Sequence, residues 1–146
     1  MRAISRAGAV LPLLFALGCG PRPPSSSEPP AASVASLEDR EWILVGLGDR
    51  AAPPGAGGRP ATIRFDSANG SAAGFAGCNR YSAQYTLAGD RLTFGPAVST
   101  KMACADGDEL ERSFLATLPE IRTYERSDST LTLSGSGGPL ARFRAP

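Results

Sequence analysis

Histidine is absent from the 146 residues. That gap removes the Ser-His-Asp and Cys-His nucleophile pairs, the imidazole metal ligand and the side chain that titrates near neutral pH. Charge of one sign is also lacking. Fifteen Lys and Arg face 14 Asp and Glu, a formal net of +1, and a balance this close to zero leaves no electrostatic footprint for nucleic acid. Cysteine occurs three times and aromatic residues make up 7% of the chain. The length fits a single domain. What the composition supplies in quantity is glycine and proline, 17 and 13 residues, the punctuation of short elements and exposed loops.

Residues 1–18 read as an export signal. Arg2 and Arg6 open it, an apolar run of eleven residues follows from Ala7 to Leu17 with Pro12 inside it, and small residues precede Cys19. This is the three-part pattern of a secretory signal peptide, and the run is well short of the ~20 residues a spanning helix needs. Ala16-Leu17-Gly18-Cys19 resembles the lipobox of bacterial lipoproteins. In that class the chain is cut before the cysteine, which is acylated on its thiol and on the new amino group. Cys19 is therefore the expected lipidation site and the bilayer the expected partner, since several chains such as palmitate hold where one is marginal. By resemblance to lipoprotein sorting, Gly20 after the cysteine points to the outer membrane, facing the periplasm. Loss of Arg2 and Arg6 with the signal leaves 13 basic against 14 acidic residues.

The stretch 19–36 changes character. After Cys19 it carries five prolines, five serines and no aromatic residue, so it cannot bury enough apolar surface to offset the entropy of ordering. A disordered tether with polyproline II character is expected, reaching about 50 Å at roughly 3 Å per residue.

From residue 37 to 146 short apolar stretches alternate with turn signals, and this is the predicted folded domain. Glu41–Leu47 reads as a first strand with Trp42, Ile43, Leu44 and Val45 in succession. The Gly- and Pro-rich loop after it is expected to be exposed and mobile. In Ala61–Asp66, Ile63 and Phe65 alternate with Thr62, Arg64 and Asp66. Asn69-Gly70 marks a turn, a small-residue stretch runs from Ala73 to Cys78, and Ala83, Tyr85 and Leu87 share one face of a further strand. Gly89-Asp90 suits a tight hairpin returning through Arg91–Phe94. Leu110, Phe114 and Leu118 recur every four residues, with Leu115 beside them, which predicts a helix. It is expected to start at a capping-box variant, Asp106 with Glu109, and to close at Pro119. Strands are expected near Ile121–Arg126, Thr130–Ser134 and Leu140–Arg144. The sum is an α+β domain: an antiparallel, barrel-like sheet of about seven or eight short strands with one covering α-helix.

Cys78 and Cys104 form an even pair inside an exported domain, most simply a disulfide. Closing about 26 residues contributes roughly 3 kcal/mol in the chain-entropy picture. Two thiols without histidine supply too few ligands for a tetrahedral metal centre, and the spacing is unlike Cys-x-x-Cys. No metal and no cofactor is expected.

The motifs around these cysteines resemble those of the META domain family of HslJ-like proteins. They are Trp42-Ile43-Leu44, Ile63-Arg64-Phe65-Asp66, Gly74 to Tyr81 with Gly77-Cys78-Asn79-Arg80-Tyr81 at its end, Thr100-Lys101-Met102-Ala103-Cys104, then Glu111, Phe114, Leu115, Tyr124, Leu131 and Leu133. The match runs in order from residue 38 to 144, with Ala83 where Gly is frequent and Lys101 where Arg is usual. The resemblance implies a compact antiparallel barrel-like fold in exported or lipid-anchored proteins, with links to heat shock, antibiotic tolerance and secretion. It brings no established enzymatic activity.

Asn79, Arg80, Tyr81 and Lys101 are the candidate ligand or partner surface. The competing structural reading is that Asn79 settles a left-handed turn, Tyr81 and Tyr85 place rings on one strand face, and Met102 fills a gap beside the disulfide. Asp106, Asp108, Glu109 and Glu111 form an acidic cluster that a carboxylate hydrolase would use. Negative charge at a helix N-terminus accounts for the first three without a ligand. Ser99 and Lys101 lack the Ser-x-x-Lys spacing of a hydrolase dyad. Arg142 and Arg144 are expected to guard an edge strand. The functional expectation is a monomeric, non-enzymatic envelope lipoprotein that binds a protein or small ligand in stress, heat-shock or drug tolerance. The alternatives are a pilotin-like or inhibitor-like periplasmic partner and a carboxylate- or serine-dependent hydrolase.

Overall fold

The computed structural model describes residues 37–38 and 40–146; the signal of residues 1–18, Cys19 and the tether 19–36 lie outside the described residues. The first three strands are β1 (Glu41–Leu47), β2 (Arg50–Ala51) and β3 (Thr62–Asp66), with β4 (Ser71–Phe75) and β5 (Arg80–Ala88) after them. Next come β6 (Arg91–Phe94), β7 (Val98–Ser99) and the helix α1 (Asp108–Thr117), extended by a 3-10 turn Leu118–Glu120. β8 (Thr123–Arg126), β9 (Thr130–Gly135) and β10 (Gly138–Arg144) complete the chain.

All pairings are antiparallel. The order β1-β3-β4-β5-β6-β8-β9-β10 returns to its start because β10 pairs with β1, Ile43 opposite Arg144 and Leu47 opposite Ala141. Eight strands therefore close a barrel, which removes exposed sheet edges around the ring. The two-residue strands β2 and β7 sit outside that ring, on β1 and β5. The alternation that marks a half-buried strand does the sorting: Trp42 and Leu44 on β1, Ile63 and Phe65 on β3, Leu131 and Leu133 on β9, and Ala141 and Phe143 on β10 are all buried.

α1 buries Leu110 and Phe114, and Leu118 follows in the 3-10 turn. The Phe114 ring meets Tyr81 on β5 at 5.4 Å and Phe143 on β10 at 6.2 Å. β5 and β10 lie on opposite sides of the eight-strand ring, so one side chain reaches both only if the helix lies across an open end of the barrel. Trp42 is fully buried, its indole N–H donates to the Leu37 carbonyl at 3.1 Å, and the guanidinium groups of Arg40 and Arg126 lie 5.5 and 5.3 Å from its ring.

Four expectations change. α1 starts at Asp108, not at a capping box: Gly107 precedes it at φ +93° and no side chain caps it. The segment 51–60 begins with the end of β2 and contains a 3-10 turn, Ala56–Gly58, bonded to the barrel through Ala56 N–H to the Gly77 carbonyl at 2.7 Å. The last strand closes the ring instead of forming an edge, and Arg142 lies across Gly46 to donate to the Gly48 carbonyl at 2.6 Å. The strand expected from Ile121 begins at Thr123, because Pro119 sits in the 3-10 turn and Ile121 is buried at its end.

Candidate functional site

The motif residues of the two cysteine segments meet at the end of the barrel that α1 covers. Residues 76–79 turn tightly between β4 and β5, with Ala76 N–H bonded to the Asn79 carbonyl at 2.8 Å. Gly77 adopts φ +137°, and a Cβ there would come within 2.8 Å of the Gly107 carbonyl and 2.9 Å of Glu111 N. Only glycine meets both demands. Cys78 follows and is joined to Cys104, with Cα atoms 5.9 Å apart.

Asn79 is the buried polar residue among those described, 5% exposed. Its Oδ1 accepts from Thr100 Oγ1 at 2.9 Å and from Met102 N at 2.8 Å. Its Nδ2 donates to Glu111 Oε1 at 3.1 Å and to the Met102 carbonyl at 3.4 Å. Glu111 Oε2 also accepts from the main-chain N–H of Cys78 at 3.2 Å and of Asn79 at 2.5 Å. One amide and one carboxylate thus join the turn 76–79, the segment 100–102 and the helix. Buried polar groups are costly without partners, and both amide ends of Asn79 have them.

Tyr81 is 4% exposed, donates to the Thr62 carbonyl at 3.2 Å, and is held in its neutral form by burial, which pushes its pKa well up. Asn79 and Tyr81 are therefore corrected as members of a ligand surface: their polar atoms are committed to the fold. Arg80 and Lys101 stay exposed. Met102 is 68% exposed and fills no gap; its main chain, not its side chain, holds Asn79. Glu111, grouped by sequence with the family motif and the acidic cluster, takes in the structure the role of holding Asn79 and its turn. Its position next to Leu110 and three residues before Phe114, at the margin of the buried helical face, puts it there.

Two concavities among the described residues are open to solvent. An open depression of about 510 Å³ lies over the outer face of β1, β3, β4 and β5, lined by Glu41, Arg64, Asp66, Ser71, Ala73 and Arg80. Asp66 is occupied there: Asn69 Nδ2 donates to it at 2.6 Å, and this bond holds its pKa below the ordinary value. A second depression of about 310 Å³ is lined by Asp106, Glu109 and the loop at Pro53 and Pro54. Both carboxylates are exposed, as is Asp108, without the enclosure that acid–base catalysis draws on. Among the described residues no three Cys, Asp or Glu side chains come together in a way that would hold a metal ion. No described helix is long and apolar enough to cross a membrane.

A family model of the META domain matches residues 35–146. An NMR structure of a protein from Burkholderia xenovorans is similar at 31% identity and TM-score 0.61, covering 75% of this chain and 83% of that one. A second NMR structure is similar at 23% identity and TM-score 0.56, covering 73% of this chain and 90% of that one. The crystal structure of a DUF4847 family protein from Bacteroides vulgatus shares the fold at 14% identity and TM-score 0.52, covering 75% of this chain and 93% of that one. No curated protein matches the chain.

Proposed function

Because the chain belongs to the META domain family, we propose that it works as a non-enzymatic binding module of the bacterial envelope, held by acyl groups on Cys19 and presenting its barrel to a protein partner. One observation carries this reading. The polar residues of its most distinctive motifs, Asn79, Thr100 and Glu111, are consumed in bonds to one another. A catalytic site keeps polar groups free and converging on a pocket. What is left at the surface is side chains on shallow ground, which suits contact with another macromolecule better than turnover of a small substrate.

The rest of the proposal follows from the address at the N-terminus. A lipobox, a tether of residues 19–36 and a folded domain after it give an outer-membrane lipoprotein whose domain searches the periplasmic space. A role in stress, heat-shock or drug tolerance fits a disulfide-closed domain working there. The test is photo-crosslinking from exposed positions around the barrel in living cells, with fractionation beside it. A discrete adduct from at least one face, and loss of membrane association on Cys19→Ser, are the expected results. Absence of any adduct from every face overturns the binding role, and a Cys19→Ser chain that stays in the membrane fraction overturns the anchor.

A further inference from the structure

Charge is unevenly distributed along a chain whose total is nearly neutral. Residues 50–105, which build β2 to β7, carry six basic side chains, Arg50, Arg59, Arg64, Arg80, Arg91 and Lys101, against two acidic ones, Asp66 and Asp90. Asp66 is engaged by Asn69, and Asp90 sits in the hairpin turn at the far end of β5 from Arg80. The cations crowd at the near end. Arg59 lies 4.2 Å from the centre of the Phe75 ring, Phe75 is paired with Arg80, and Thr100 N–H bonds to the Arg80 carbonyl at 3.0 Å, which places Lys101 next along.

The same place has an open strand edge and exposed apolar side chains. Among the described residues β7 pairs with β5 alone, Tyr81 opposite Ser99 and Ser82 opposite Val98, and no described strand lies on its other side. Val98 and Met102 are 67% and 68% exposed, on the segment that also carries Lys101. A short edge with a proline before it, Pro96, and a lysine two residues after it, Lys101, is guarded against indiscriminate pairing. A lysine guard turns into an attraction when the incoming strand is acidic.

We propose that the face formed by β3, β4, β5 and β7 docks an extended, acidic segment of a partner protein, which adds a strand to the free edge of β7. Main-chain bonds along β7 would supply strand pairing, Val98 and Met102 apolar contact, and Arg59, Arg80 and Lys101 the charge complement. This rests on the binding-module reading and names the chemistry of the partner.

The test uses the full-length chain in neutral detergent and a fluorescent, end-blocked peptide of alternating Glu and Val. Lys101 is the only lysine in the sequence, so an amine-reactive label with mass readout reports on this face directly. Expected are binding that weakens as salt rises from about 0.05 M to about 0.5 M, protection of Lys101 by the peptide, and at least about tenfold weaker binding on Arg80→Glu. A Lys/Val peptide should not bind, and alternate N-methylation of the Glu/Val peptide should abolish binding. Equal binding by the N-methylated peptide overturns strand addition. No peptide binding, with Lys101 protected only when the protein sits in phosphatidylglycerol vesicles and not in phosphatidylcholine ones, overturns the proposal in favour of a membrane contact. Photo-crosslinkers at Lys101 and, on β8, at Glu125 separate the two levels. An adduct at Glu125 or elsewhere but not at Lys101 overturns this face and leaves the binding module standing, whereas none from any face overturns both.

Discussion

Glu111 grips Asn79 at both ends, its Oε2 accepting the main-chain N–H at 2.5 Å and its Oε1 accepting the side-chain amide at 3.1 Å. The pair spans 32 residues of sequence and ties helix to turn. It also explains why an asparagine is needed there: Oδ1 must accept from Thr100 and Met102 while Nδ2 donates to Glu111. Aspartate has no donor for that carboxylate, and glutamine is longer by one methylene.

Asn79→Ala is expected to destabilise the domain by about 2–4 kcal/mol, since it removes the buried amide that joins Glu111 Oε1, Thr100 Oγ1 and the Met102 N–H. Asn79→Asp should cost at least as much, because it sets a second carboxylate against Glu111. Glu111→Gln should cost less, about 1–3 kcal/mol, as an amide keeps one acceptor for the two main-chain donors. Urea unfolding of the three variants checks the order. An Asn79→Ala protein as stable as the wild type would return Asn79 to the list of candidate ligand residues.

Reduction of the Cys78–Cys104 bond, or Cys104→Ser with Cys78→Ser, should lower stability by about 3 kcal/mol through the gain in unfolded-chain entropy. The fold is expected to survive, since the bonds of Asn79 to Thr100 and Met102 still join the segments that the disulfide joins. Circular dichroism and thermal unfolding under reducing and oxidising conditions measure the difference. Free thiols at both positions in protein exported to an oxidising compartment would contradict the pairing itself.

Gly55, Gly77 and Gly107 meet where the loop 53–59, the turn 76–79 and the start of α1 touch, and substitution separates them from ordinary loop glycines. A Cβ on Gly107 would lie 2.7 Å from Ala56 N at a backbone φ of +93°, and one on Gly77 would lie 2.8 Å from the Gly107 carbonyl at φ +137°. Gly77→Ala and Gly107→Ala are each expected to cost at least about 1–3 kcal/mol. At Gly137 a Cβ meets nothing within 4 Å, so Gly137→Ala should stay within about 0.5 kcal/mol of the wild type. Equal effects at all three positions in a thermal-shift comparison would remove the close approach as the reason for these glycines.

Much of the barrel is legible in the letters because each strand carries its own period. Ile63 and Phe65 announce β3 and Leu131 and Leu133 announce β9. The Gly89-Asp90 pair fixes the β5–β6 hairpin, with Ala88 opposite Arg91 as a two-residue connection requires. Closure is not legible. Nothing local in Arg142 or Arg144 says that β10 returns to β1, a pairing across almost the whole domain, so charge on the last strand reads as an edge guard when it is a strap over Gly46. The start of α1 misleads for a similar reason. Asp106 and Glu109 have capping-box spacing, but the tertiary approach of Gly77 to Gly107 sets where the helix begins. The candidate site divides along the same line: Asn79, Tyr81 and Glu111 are nameable from their motifs, whereas the pairing of Asn79 with Glu111 and of Tyr81 with Thr62, 32 and 19 residues apart, is made only by the fold.

Tyr81 links this architecture to alkaline pH. Burial without a neighbouring cation penalises the phenolate, so the folded-state pKa lies well above the ordinary 10.0. A raised folded pKa means that the native state holds the proton more tightly than the unfolded chain. The stability this provides is complete below about pH 10 and is lost as pH climbs from there through the folded value. Tyr81→Phe keeps the ring against Phe114 at the barrel end and gives up only the bond to the Thr62 carbonyl, so at neutral pH it should cost about 1 kcal/mol. Above pH 10 the variant has no phenol to ionise at this position. The gap to the wild type should therefore narrow and then reverse, read from urea midpoints between pH 7 and 11.5. A gap that stays constant across that range would mean that the Tyr81 hydroxyl reaches water, against its burial beneath α1.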